Sequence, residues 1–152
     1  MKVGDVVDDF ELPDETGTPR TLGGLLEQGP VVLFFYPAAM TAGCTAEACH
    51  FRDLTSELAK LGAHPVGISS DTVEKQKEFA DKHSFGYPLL SDTDGAVRAA
   101  FGVKRGIALA PTKRQTFVID TDRRVLEIVK SEIRMNAHAD KAIEALRARA
   151  GS

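Results

Sequence analysis

The sequence has no tryptophan, only two cysteines and no long apolar run among its 152 residues. Its longest apolar stretch, residues 31–36, is far shorter than the roughly 20 residues that cross a bilayer. Residues 1–5 offer no apolar segment of the kind a signal peptide needs, so we expect a cytoplasmic protein. Lysine and arginine form no run longer than a pair and the net charge is −3, so neither nucleic acid nor a membrane is an expected partner.

Length and composition indicate one folded unit. A hydrophobic fraction of 43% beside 27% charged residues is typical of a soluble globular protein. No internal repeat, low-complexity tract or proline- and serine-rich linker divides the chain. We therefore expect residues 1–152 to form a single domain.

The first half of the chain carries a strand–helix–strand pattern. Residues 31–36 are a continuous β-branched and aromatic run, which is typical of a strand buried on both faces. Apolar residues recur at helical spacing over residues 45–61, and a second apolar segment follows at residues 65–68. This βαβ order predicts two parallel strands joined by a helix.

The second half adds further helices and a hairpin. Residues 71–74 resemble a helix cap, so we predict a helix from there to about His83. A turn at 92–95 precedes two strand-like segments, 116–119 and 125–129, which predict an antiparallel hairpin, and a last helix covers 139–149. Together these elements predict an α/β fold with a mixed central sheet covered by helices on both faces.

Cys44 falls between the end of the first strand and the start of the following helix. The unpaired N–H groups and the positive dipole at a helix N-terminus favour the thiolate, which is the nucleophilic form of cysteine. The alternative is a small buried residue with no chemistry, as most free cysteines are. Because Thr41, Gly43 and Thr45 beside it are polar or small, we favour a functional interpretation.

Cys49 stands five residues beyond Cys44. On an intact helix the two Cα atoms would be roughly 8 to 9 Å apart, whereas a disulfide tolerates about 7 Å. A bond between them therefore requires the helix to open, which suits a redox cycle better than a permanent structural link. The alternative, a core position without redox chemistry, remains open on spacing alone.

Residues 36–53, with the pattern Pro-x-x-x-Thr-x-x-Cys, resemble the active-site segment of peroxiredoxins of the bacterioferritin comigratory protein, or Q-type, branch. The resemblance extends from Gly4 and residues 9–12 to residues 116–120 and His138. It implies a thioredoxin-like fold. It also implies a thiol peroxidase that reduces hydrogen peroxide and organic hydroperoxides.

The resemblance implies that Cys44 is the peroxidatic residue, oxidised to a sulfenic acid, and that Cys49 resolves it by forming an intramolecular disulfide. Thioredoxin or a similar dithiol would recycle the enzyme, which would be a monomer without metal or other cofactor. It further implies that Thr41 hydrogen-bonds the peroxide, that Pro37 shields the thiolate and that Arg114 polarises both.

Two assignments depend on family position alone. An arginine just before a strand is usually a solvated flank, and Lys113 and Arg105 are rival cations near Arg114. Glu47 is by default an exposed helix residue, although its position in the family links it to that arginine.

Other classes of function are less favoured. A metal site could combine Cys44, Cys49 and His50 with a further histidine, drawn from His64, His83 and His138. The spacing fits no usual zinc pattern, and His50 would point away from Cys44 on a helix.

A thioredoxin-type thiol-disulfide exchanger would place two residues between its cysteines and a proline before the strand that faces them. Here four residues intervene, and Gln115 occupies the place of the proline. A binding module or chaperone that shares only the fold is a further alternative, against which the combination of Pro37, Thr41, Cys44 and Cys49 argues.

Overall fold

A computed structural model describes residues 1–104, 112–131 and 134–150. Its strands within these ranges are β1 (Glu11–Pro13), β2 (Pro19–Thr21), β3 (Val31–Phe35), β4 (His64–Ser69), β5 (Leu89–Ser91), β6 (Gln115–Ile119) and β7 (Val125–Lys130). Its helices are α1 (Leu22–Leu26), α2 (Ala42–Asp53), α3 (Thr55–Lys60), α4 (Val73–His83), α5 (Ala96–Ala100) and α6 (Met135–Ala150). None of these helices is long and apolar enough to cross a membrane.

A mixed five-stranded sheet with the order β5-β4-β3-β6-β7 forms the centre of the fold. Strand β3 pairs in parallel with β4, and β4 pairs in parallel with β5. On its other side β3 pairs antiparallel with β6, which forms an antiparallel hairpin with β7. The predicted parallel βαβ pair and the predicted hairpin are therefore both confirmed.

Helices cover both faces of the sheet, because successive side chains of β3 point to opposite sides. Val32 and Phe34 belong to a core cluster that includes residues of α2, α3, α4 and α6. Leu33 and Phe35 belong to a second cluster, with residues of α1 and α5. All five residues of β3 are buried, which explains its uninterrupted apolar sequence.

The single helix predicted over 45–61 is wrong, because the chain forms α2 and α3 with a break at Leu54. Near the break the carbonyl oxygen of Phe51 accepts from the amide of Leu54, three residues on, at 3.2 Å and from the hydroxyl of Thr55 at 3.1 Å. A bond over three residues is typical of a tighter turn than that of a regular α-helix. Helix α2 also begins three residues earlier than expected, at Ala42, so that Cys44 lies inside its first turn.

The cap predicted for α4 lies one residue further along the chain. The hydroxyl of Thr72, not the carboxylate of Asp71, accepts from a helix amide, that of Lys75 at 3.2 Å. Asp71 instead accepts from the amide of Ala39 and from the hydroxyl of Ser69, both at 2.7 Å. The carboxylate that the local pattern assigned to the helix cap is thus engaged in a tertiary contact with the loop after β3.

The sequence patterns did not predict the short strands and helices. Three of the strands, β1, β2 and β5, have three residues each, and α1 and α5 have five each, which is too short for a periodic pattern. Helix α6 begins at Met135, four residues before the predicted start at Ala139. The turn predicted at residues 92–95 is present, closed by a bond from the amide of Gly95 to the carbonyl of Asp92 at 3.1 Å.

Candidate active site

The thiol of Cys44 lies in the first turn of α2, at the edge where β3 ends. Thr41 is the N-cap residue and has an extended backbone. The cysteine is 1% exposed and carries a free thiol. A helix leaves its first N–H groups without intrahelical partners and its dipole is positive there, so this position favours a negatively charged sulfur.

Arg114 brings a guanidinium to the same sulfur. Its Nη2 donates to Sγ of Cys44 at 3.2 Å, and its Nη1 donates to Oε1 of Glu47 at 2.8 Å. Burial by itself lowers the pKa of Arg114, but the charges of Glu47 and Cys44 and the hydrogen bonds to them raise it above its ordinary value. The arginine therefore remains a cation although it is 6% exposed.

The pairing of the strands in the sheet makes this contact possible. Arg114 directly precedes β6, whose antiparallel pairing with β3 brings it beside α2 although 70 residues separate it from Cys44. A Cβ atom on Gly43 would lie 3.4 Å from Nη2 of Arg114, at ordinary van der Waals distance, so the guanidinium lies close to the start of α2. Lys113, the rival cation, is exposed. The other rival, Arg105, lies outside the described residues.

Glu47 and His138 extend the polar cluster into the core. Both side chains are fully buried, and Oε2 of Glu47 lies 3.5 Å from Nε2 of His138. The same Nε2 is 2.8 Å from the carbonyl of Ser131, while Nδ1 is 2.8 Å from the hydroxyl of Thr116. Because a carbonyl only accepts, Nε2 carries a hydrogen and donates to it.

Sequence reasoning did not assign His138 to this cluster. From the sequence, His138 enters only through the family resemblance and as a possible metal ligand. A usable signal was present, since it shares one face of α6 with Ala142 and Leu146 at four-residue spacing, and all three are buried. A histidine on such an apolar face needs polar partners, and these come from distant segments.

The loop from Pro37 to Thr41 leads from β3 to the start of α2. Pro37 is half-buried two residues after the end of β3, and Thr41 is exposed. The hydroxyl of Thr41 donates its hydrogen to the carbonyl of Ala38 at 2.8 Å, so its lone pairs remain able to accept. Met40 has φ 69°, a left-handed conformation that is uncommon outside glycine and asparagine.

Cys49 lies further along the same helix. It is a free thiol, half-buried, and packs against the cluster that contains Cys44. Helix α2 is continuous between the two cysteines. On either side of Cys49, the carbonyl of Ala48 accepts from the hydroxyl of Tyr87 at 2.7 Å and His50 contacts Asp140 at 2.9 Å.

The histidines considered as metal ligands have other surroundings. His50 is paired with Asp140, and His138 lies between Thr116 and Ser131. Across residues 1–104, 112–131 and 134–150 no group of three or more histidine, cysteine, aspartate or glutamate residues is arranged to hold a metal ion.

Comparison with known proteins gives consistent matches. The AhpC/TSA family matches residues 3–128. The chain is 38% identical to peroxiredoxin Bcp of Escherichia coli, covering 97% of this chain and 96% of that protein. It is also similar to the crystal structure of peroxidoxin BcpB from Mycobacterium tuberculosis. The sequence identity is 65%, the TM-score is 0.94 and the match covers 97% of both chains.

A third match concerns a protein whose substrates are named. A structure of the bacterioferritin comigratory protein of Xanthomonas campestris, described for its alkyl peroxide reduction activity, is 32% identical to this chain. Its TM-score is 0.84, and the match covers 93% of this chain and 92% of that one.

Proposed function

The chain belongs to the AhpC/TSA family, has a thioredoxin-like fold and is a thiol peroxidase, and from that premise we propose which of its residues carry the reaction. Cys44 is the peroxidatic residue and Cys49 the resolving residue. The observation that most directly supports the peroxidatic role of Cys44 is the 3.2 Å contact between the Arg114 guanidinium and its Sγ. The contact lies at a helix N-terminus, where two sources of positive potential meet at one sulfur.

The first step is nucleophilic attack by the Cys44 thiolate on the terminal oxygen of a hydroperoxide. A sulfur–oxygen bond forms while the oxygen–oxygen bond breaks, so the sulfur is oxidised to a sulfenic acid and the peroxide is reduced. The leaving oxygen departs as an alkoxide or hydroxide and takes up a proton. Donors from Arg114 and from the first amides of α2 stabilise the negative charge as it moves along the breaking bond.

Three neighbours of Cys44 and Arg114 orient the reactants. Thr41 accepts the O–H of the peroxide, because its own hydrogen is already donated to a carbonyl. Pro37 shields the thiolate from water. Glu47 holds Nη1 of Arg114 at 2.8 Å, so that Nη2 is directed at the sulfur.

The second step forms a disulfide. The thiolate of Cys49 attacks the sulfur of the Cys44 sulfenic acid, and the hydroxyl leaves as water after protonation. With Cα atoms roughly 8 to 9 Å apart on an intact helix, this step requires the first turns of α2 to open. A dithiol then reduces the disulfide and returns both thiols, and thioredoxin or a similar reductant has the required chemistry.

Several finer features belong to the same proposal. The substrates are hydrogen peroxide and organic hydroperoxides, as the alkyl peroxide activity of the Xanthomonas relative suggests. The enzyme works as a monomer in the cytoplasm, and residues 1–152 act as a single domain. It needs no metal or other cofactor, since both redox groups are its own thiols.

The test is peroxide consumption with several candidate reductants, for the native chain, Cys44→Ser and Cys49→Ser. Cys44→Ser should lose turnover by more than about a thousandfold. Cys49→Ser should consume one equivalent of peroxide, form the sulfenic acid and then stop with a dithiol reductase. A Cys49→Ser enzyme that turned over normally with that reductase would remove the resolving role, and an active Cys44→Ser would remove the peroxidatic one.

A further inference from the structure

Asp71 lies beside the active-site loop although it is distant in sequence. The 37–41 loop follows β3, and Asp71 follows β4 after one intervening residue. Because β3 and β4 are parallel neighbours, both segments emerge at the same edge of the sheet. Helix α2, which carries Cys44 in its first turn, begins at this same edge.

One carboxylate oxygen of Asp71 joins the loop to a rigid part of the fold. Oδ2 accepts from the amide of Ala39 at 2.7 Å and from the hydroxyl of Ser69 at 2.7 Å. The oxygen of Ser69 in turn accepts from the side-chain amide of Gln76 at 3.0 Å, and Gln76 accepts from the hydroxyl of Tyr36. Ser69, Gln76 and Tyr36 are fully buried, so the carboxylate is anchored to a fixed network.

The loop that Asp71 holds contains a sparsely populated backbone conformation. Met40 adopts φ 69°, which persists only where neighbouring contacts enforce it. On one side of Met40 the amide of Ala39 is bound by Asp71, and on the other side the hydroxyl of Thr41 is bound to Ala38. The contact from Asp71 comes from outside the loop and ties it to the sheet.

We propose that Asp71 is a positioning residue for peroxide reduction. Through the N–H of Ala39 it holds the 37–41 loop, and with it Thr41, in the geometry that orients the hydroperoxide over Cys44. A hydrogen bond to a carboxylate is among the stronger ones in proteins, which suits this task. The proposal rests on the proposed role of Thr41, and Asp71 itself touches no reacting atom.

The test separates peroxide positioning from thiol reactivity. In a Cys49→Ser background Cys44 is the sole thiol, so its reactions with peroxide and with iodoacetamide can be followed separately. Asp71→Ala should lower the second-order rate constant with peroxide by about tenfold to a hundredfold, since misplacement by about 1 Å is that costly. Alkylation should change by less than about twofold, since it needs the thiolate but no bound peroxide.

Two variants provide controls. Asp71→Asn keeps an oxygen that can accept from Ala39 and Ser69, so its peroxide rate should stay within about threefold of the parent. Glu74→Ala removes an exposed carboxylate from the first turn of α4 and should change neither rate. Equal losses in both reactions of Asp71→Ala, no loss in either, or an Asp71→Asn as slow as Asp71→Ala would overturn the proposal.

A measurement on the native protein covers the case in which Asp71→Ala fails to fold. The Ala39 amide should exchange with solvent deuterium at least about tenfold more slowly than an unprotected amide, because it donates to Asp71 in the native protein. An Ala39 amide that exchanged at the unprotected rate would overturn the proposal. Failure of the proposed function would look different, because a Cys44→Ser protein would then still consume peroxide.

Discussion

The Arg114–Glu47 pair and the Arg98–Asp92 pair have the same chemistry but different surroundings. Each joins a buried guanidinium to a fully buried carboxylate, at 2.8 Å and 3.0 Å respectively. Arg98 belongs to α5, which packs on one face of the sheet, and Glu47 belongs to α2, which packs on the other.

The two arginines differ in what else they bind. Arg98 donates to the backbone carbonyl of Asp92 at 3.1 Å and to the hydroxyl of Thr112 at 3.3 Å, which joins two loops. Arg114 donates to Sγ of Cys44 at a helix N-terminus, the sulfur that we propose as the nucleophile. A buried arginine–carboxylate pair therefore does not by itself mark an active site, and the contact with a cysteine sulfur is what supports the proposed role of Arg114.

The largest expected effect is on stability at the Arg98 pair. Arg98→Ala leaves the buried carboxylate of Asp92 without its guanidinium and should lower the free energy of unfolding by about 3 to 5 kcal/mol. Urea denaturation measures this loss. The rate constant of the folded fraction with peroxide should stay within about twofold of the native value, because α5 packs on the opposite face of the sheet from Cys44. A loss of peroxide rate without a loss of stability would contradict the purely structural role assigned to the Arg98–Asp92 pair.

Arg114 should show the opposite balance of effects. Arg114→Ala removes a donor from the developing charge and should slow Cys44 oxidation by about a hundredfold, as loss of an oxyanion donor typically does. Stopped-flow oxidation under conditions where the variant is folded measures it. The matched control is Lys113→Ala, which removes an exposed neighbouring cation and should change the rate by less than about twofold. Equal effects from the two variants would remove the role of Arg114.

Oxidation should disturb only one of the two regions. Formation of the Cys44–Cys49 disulfide must unwind the start of α2, and Glu47 lies between the two cysteines. Amides of residues 41–54 should therefore lose protection from hydrogen exchange by at least about tenfold in the oxidised protein. Residues 92–101, around the other pair, should exchange equally in both forms.

Mass spectrometry of digested protein gives the exchange of each segment separately and verifies the disulfide. Intrinsic tryptophan fluorescence is no substitute, because the chain has no tryptophan. Equal protection of residues 41–54 in both redox forms, with the disulfide verified, would contradict the unwinding mechanism.

The smallest effect concerns a more exposed pair, Arg20–Asp14, at 2.9 Å. Burial by itself raises the pKa of Asp14, but hydrogen bonds from Thr16, Arg20 and Thr18 outweigh it and lower the pKa below the ordinary value of 3.8. The native state thus favours the carboxylate, so this stabilisation is present above about pH 4 and is lost as the pH falls through the folded-state pKa.

Arg20→Ala should weaken that acid sensitivity slightly and cost less than about 1 kcal/mol at neutral pH, because Arg20 is partly exposed to water. Thermal unfolding of both proteins between pH 2 and 7 checks this. A loss as large as that of Arg98→Ala would show that burial of both partners does not distinguish the pairs.

Local patterns in the sequence determined the central elements of the fold. The apolar run of β3, the helical spacing that follows and the segment of β4 each report burial along a single element. Parallel pairing of β3 and β4 follows from that order. Because Cys44 falls between the apolar run and the helical spacing, its position at the start of a helix could also be predicted. The resemblance to the peroxiredoxin active-site segment then directed attention to Arg114 and Glu47.

Tertiary structure decided which distant groups meet. Asp71 has the local pattern of a helix cap but binds Ala39, and His138 lies between Thr116 and Ser131 beside Glu47. The helix predicted over 45–61 is broken at Leu54, near which the hydroxyl of Thr55 donates to the carbonyl oxygen of Phe51. Periodicity records which side of an element is buried, whereas a hydrogen bond depends on a partner's position in space, and only the assembled sheet and helices set that position.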